Sequence, residues 1–149
     1  MSSREAFSGA VEGAEADVST AGPRADFYRA IFETSHEAKL IMAPPDWRFV
    51  AANPAALTLM GVKTEAEFRS LYPWDISPAC QPDGRPSQQV GEEMRNRALH
   101  EGSLSFEWHH QTRDGRDIPA VVTLSCLEHA GRTLLQATIH DLHHIEPAL

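Results

Sequence analysis

Eight histidines and two cysteines are the side chains of this sequence best suited to chemistry, and their spacing limits what they can do. His109 and His110 are adjacent in a strand-like stretch, so they point to opposite faces and cannot share one ion. His140, His143 and His144 come nearer to a metal-ligand spacing, but only Asp141 and Glu146 stand by to complete a coordination shell. A solvated tail explains that cluster more simply, and no metal is assigned. Cys80 and Cys126 form no CxxC pair and read as free thiols. No G-x-S-x-G, Gly-rich phosphate loop or convergent carboxylate pair occurs. Asp75, Asp83, Glu92 and Glu93 are accounted for as caps, turn residues and a solvated helix face. The sequence therefore does not predict an enzyme.

The rest of the composition sets the frame. A chain of 149 residues, 42% hydrophobic and 23% charged, has the size and balance of one globular domain. Its formal net charge of −8, with no Lys/Arg run, argues against nucleic-acid binding. Sparse cysteine, no apolar run of membrane-spanning length and no apolar signal region predict a protein of the reducing cytoplasm.

Residues 1–22 read as a flexible or helical leader, with Phe7, Ala10, Val11, Ala14 and Val18 on one helical stripe. Residues 23–142 form the ordered domain and 143–149 a tail. A helix opens near Pro23, with Phe27, Ala30, Ile31 and Thr34 on one face. Residues 38–43 and 48–52 then make a hairpin across Pro44-Pro45-Asp46. Asn53-Pro54 is a capped helix start, and the helix 54–60 stops at Gly61. Thr64 and Glu67 form a capping box for a helix over 65–71. Residues 72–86 hold four prolines and read as mostly irregular. The longest helix spans 87–101 and ends at Gly102. Three period-two strands follow, turning at Asp114-Gly115 and around Gly131. This order predicts an α+β fold with one antiparallel sheet.

Several segments together resemble a PAS domain, the small sensory module of signalling proteins. They are AKLIMAPPDWRFVAANPAALTLMGV (38–62), RALHEGS (97–103), FEWHHQTRDGRDIPAVVTL (106–124) and LLQATIHDL (134–142). The stretch Asp75–Ser87 is also similar to bacterial members of that family. The resemblance implies a five-stranded antiparallel sheet with helices packed over one face and a pocket between them. It implies a non-catalytic sensor or interaction module of bacterial signal transduction, dimerising through the N-terminal helix or the outer sheet face. The expected partners are a second copy of the chain, a histidine kinase, a diguanylate cyclase or a similar protein. Because the chain stops at Leu149 after Asp141-Leu142-His143-His144, with no linker to an output domain, it is expected to act in trans or to be a fragment.

Some relatives in that family carry cofactors. The flavin motif Gly-x-Asn-Cys-Arg-Phe-Leu-Gln is absent. Cys80 is placed like the cysteine of the cinnamoyl-chromophore branch, but Ala52 and Ala56 stand where that branch keeps a Tyr and a Glu; Cys80 reads as a loop thiol. His100 would be a ligand only if a haem were present. No cofactor is assigned, a haem- or other small-ligand sensor being the alternative, and the purified protein is expected to be colourless. The pocket, which takes a small apolar ligand if its side chains leave space, is expected to be lined by Leu57, Met60, Met94, Phe106, Trp108, Ile118, Val122, Leu124 and Ile139. Phe27, Tyr28 and Ile31 are the expected dimer contacts, with Asn53 as the structural cap.

Overall fold

The computed structural model describes residues 22–144. The expected leader stripe and the end of the tail, 1–21 and 145–149, lie outside the described residues. Helix α1 (Pro23–Thr34) begins on a proline at its first turn and ends before Ser35, whose backbone is extended. Strands β1 (Ala38–Ala43) and β2 (Arg48–Ala52) follow as a hairpin. Their pairing shifts register between Ile41 and Met42.

Asn53 then turns the chain into helix α2 (Pro54–Met60). Its Oδ1 accepts from the N–H groups of Ala56 and Lys39, both at 3.0 Å. Its Nδ2 donates to the carbonyls of Phe32 and Glu37, at 3.1 and 2.9 Å. One fully buried amide thus caps α2 and ties it to β1 and to the end of α1. Gly61, at φ 71°, closes α2 in the left-handed conformation that a β-carbon disfavours.

Helix α3 (Glu65–Phe68) is shorter than the sequence predicts. Thr64 Oγ1 accepts from Glu67 N–H at 3.0 Å, but the Glu67 carboxylate takes Lys63 N–H, not the Thr64 N–H of a capping box. After Phe68 the chain tightens: Ser70 and Leu71 donate to the Glu67 and Phe68 carbonyls three residues back. The stretch 72–86 is not wholly irregular, for it contains a short 3₁₀ turn, Pro73–Ile76. Helix α4 (Ser87–Glu101) leads into β3 (Ser103–Gln111), β4 (Asp117–His129) and β5 (Arg132–Asp141), and a 3₁₀ turn covers Leu142–His144.

The five strands form one antiparallel sheet in the order β2-β1-β5-β4-β3, so the last strand lies at its centre. The alternation read in the sequence becomes two faces. One carries the main core, including Leu40, Phe49, Trp108, Val122, Leu135 and Ile139 together with Met60 and Phe68 from the helices. The other carries a smaller cluster of Ile41, Ala43, Ala51 and Leu134, with Phe32 of α1 packed against it. None of α1 is buried, and Phe27, Tyr28 and Ile31 are 62%, 59% and 49% exposed.

Candidate ligand cavity

Between the main face of the sheet and the segments that cross it lies a cavity of about 80 Å³. That is roughly half the ~150 Å³ of an apolar cavity large enough to hold benzene. The sheet supplies one wall: Leu40 and Met42 from β1, Phe49 from β2, and Leu135, Ala137 and Ile139 from β5. Phe106, Trp108 and His110 of β3, with Val122 and Leu124 of β4, extend it. They belong together because residues opposite one another across an antiparallel pair share a face, here Phe106 with Val122 and Leu124 with Leu104.

The roof comes from irregular segments. Trp47, with φ 60° in the turn after β1, brings its ring over the Arg95 guanidinium, 5.6 Å from its carbon to the ring centroid. The 3₁₀ turn contributes Pro73, Trp74 and Ile76, with Ser77 just beyond. From α4 come Gly91 and Arg95, one helical turn apart. A β-carbon on Gly91 would lie 2.6 Å from Cζ3 of Trp74, so the bare backbone of α4 is what lets the indole seat there.

Polar side chains pin this roof to the sheet. Trp108 Nε1–H donates to Ser77 Oγ at 3.1 Å, and that hydroxyl donates to the Pro73 carbonyl at 3.0 Å. Gln81 pairs with the edge strand β3 as a strand neighbour would: Oε1 accepts from His109 N–H at 2.9 Å and Nε2 donates to the His109 carbonyl at 3.1 Å. Arg113 donates to the Asp75 carbonyl at 3.0 Å. His110 Nδ1 bonds the Ile76 carbonyl at 3.3 Å. Burial pushes the His110 pKa down to about 4, helped by the neighbouring charge of His109 and opposed by the Ile76 bond. The ring is therefore neutral at pH 7.

Of the nine expected pocket residues, Phe106, Trp108, Val122, Leu124 and Ile139 line the cavity. Leu57, Met60, Met94 and Ile118 do not. Met60 and Ile118 are fully buried in the core itself, Ile118 opposite His110 toward the β3–β4 turn. Leu57 packs on that core from α2, and Met94 sits beside the α4 face that Gly91 and Arg95 present. Trp47, Trp74, Gly91, Arg95 and His110 are lining residues that the sequence reading did not assign. His110 was within reach, since extending the Phe106–Trp108 alternation by one step turns it inward.

His100 is exposed at the end of α4 and does not line the cavity. With no His100 at the wall and so small a volume, these residues do not fit a haem. Cys80 is exposed, and Cys126 bonds the Ala98 carbonyl through its thiol at 3.4 Å. His140 instead lies 3.3 Å from Glu37, and His143 3.7 Å from Asp141.

A family model described as a PAS domain matches residues 37–144. No curated protein matches the chain. Among solved structures, the chain is similar to a PAS domain from a two-component sensor histidine kinase, with TM-score 0.66 and 14% identity over 82% of this chain and 99% of the other. It is also similar to a domain of a sensory box sensor histidine kinase/response regulator from Geobacter sulfurreducens, with TM-score 0.56 and 21% identity over 77% of this chain and 92% of the other. A LOV protein from Rhodobacter sphaeroides aligns with TM-score 0.66 and 18% identity, over 83% of this chain and 69% of the other. These likenesses establish the fold.

Proposed function

The chain belongs to the PAS domain family, and on that premise we propose that it is a non-catalytic cytoplasmic sensor whose cavity takes up a small, mainly apolar molecule. The observation that carries this reading is the cavity itself: apolar and aromatic side chains surround about 80 Å³ that the core does not fill. A domain selected only for stability gains by closing such a space, because each void forfeits dispersion contacts. Binding is tested by titrating the chain with xenon, an apolar probe suited to a space of about 80 Å³. Saturable binding supports the reading, and its absence at millimolar concentration removes it.

The signal leaves through a surface. Phe27, Tyr28 and Ile31 give α1 an exposed apolar stripe, while the amide of Asn53 joins the end of that helix to the core. Pairing of this stripe with its copy in a homodimer, or with a histidine kinase or cyclase partner, is the output we propose. The similarity to PAS domains of sensor histidine kinases supports a signalling partner of that kind.

A further inference from the structure

Two residues that line the cavity each bury a polar atom with no hydrogen-bond partner among the described residues: His110 its Nε2 and Arg95 its Nε. Resting on the cavity reading above, we propose that the occupant is a small apolar molecule bearing one hydroxyl group, an alcohol or a phenol. Its O–H donates to His110 Nε2, and its oxygen accepts from Arg95 Nε–H.

The chemistry follows from what each wall atom can do. A carbonyl only accepts, so Nδ1 of His110 must carry the proton that meets the Ile76 carbonyl. Nε2 is then a lone pair on a neutral ring that is 6% exposed, and it calls for a donor. Arg95 is the reverse case, since guanidinium nitrogen only donates, and its buried Nε–H calls for an acceptor. Ser77 Oγ already both donates and accepts, and the Trp108 indole N–H is spent on it. A hydroxyl supplies one donor and one acceptor on a single atom. An ionised carboxylate would satisfy Arg95 but set an acceptor against the His110 lone pair, and an ammonium would meet the Arg95 charge. The flanking indoles of Trp74 and Trp108 and the side chains of Leu135 and Ile139 suit an apolar or aromatic body.

NMR titration of the full chain with ethanol and with xenon separates this inference from the reading beneath it. Both probes suit a space of about 80 Å³, and only ethanol carries a hydroxyl. At saturation ethanol is expected to shift the His110 Nε2 ¹⁵N resonance several-fold more than xenon does, because only a donated hydrogen bond acts on that lone pair. His110→Phe is expected to lower the ethanol-to-xenon affinity ratio at least about five-fold, the hydroxyl then keeping only Arg95. An Nε2 signal that ethanol moves no more than xenon does, or a ratio unchanged by His110→Phe, overturns the hydroxyl assignment and leaves the cavity as an apolar site. Binding of neither probe overturns both.

Discussion

Nδ1 of His110 lies 3.3 Å from the carbonyl oxygen of Ile76, and this contact is among those that join the edge strand β3 to the roof of the cavity. It also sets the ring's tautomer, leaving Nε2 as an acceptor. A fold that buries a titratable ring in this way must lose stability when the ring is forced to charge.

The folded protein takes up the His110 proton only near pH 4, against an ordinary value of 6.5. Between those values the unfolded chain binds a proton that the folded chain does not, so stability falls as pH drops through that window and levels off below it. The full effect is about 3 kcal/mol. Urea unfolding at pH 7 and pH 4 checks it by comparison with His110→Phe, which removes this titration alone. Wild type is expected to lose about 3 kcal/mol more than the variant on acidification; equal losses contradict a buried neutral ring.

Asn53→Ala removes an amide that serves four backbone groups, two N–H donors and two carbonyls. The expected cost is about 3 kcal/mol or more, because the groups left behind are partly or wholly buried. Asn53→Asp keeps the cap to Ala56 and Lys39 but turns an acceptor toward the Phe32 and Glu37 carbonyls. Hydrogen exchange is therefore expected to show α1 loosened in both variants and α2 loosened mainly in Asn53→Ala.

Gly91→Ala sets two terms against each other. Alanine in a helix interior is worth about 1 kcal/mol over glycine. Here its β-carbon would meet the Trp74 ring at 2.6 Å, and overpacking costs about 1–3 kcal/mol. The expected result is net destabilisation with a change in tryptophan fluorescence as Trp74 is displaced. A stabilised variant with an unchanged spectrum contradicts the close packing of helix and indole.

Much of the scaffold was legible in the sequence because strands and caps are local. The alternation of Leu104, Phe106 and Trp108 with Ser105, Glu107 and His109 marked β3, and Asn53-Pro54 marked the start of α2. The cavity roof was not legible, for physical reasons. Trp47 and Trp74 reach it from a turn and a proline-rich segment whose placement depends on tertiary bonds such as Gln81 to His109. On α4 the amphipathic pattern selected Met94, whereas the cavity meets a glycine that admits an indole and an arginine held against Trp47. Propensity ranks residues by apolarity, and this surface was chosen by shape.

The α1 stripe makes a prediction about association. Phe27→Glu combined with Ile31→Glu touches no buried residue, since α1 has none, so the fold should be unaffected. Light scattering at tens of micromolar is expected to show a dimer for wild type and a monomer for the double variant. A wild-type monomer at that concentration rules out the homodimer and leaves a partner in trans.

The cavity as a binding site is tested most directly by protein-observed NMR during a xenon titration, following the indole N–H signals of Trp47, Trp74 and Trp108. All three rings line the cavity. Saturable shifts are expected at these indoles and at neighbouring amides of the wall, with His36 and the exposed α1 residues unmoved. Signals that do not move, or that drift linearly without saturation across the whole surface, contradict it.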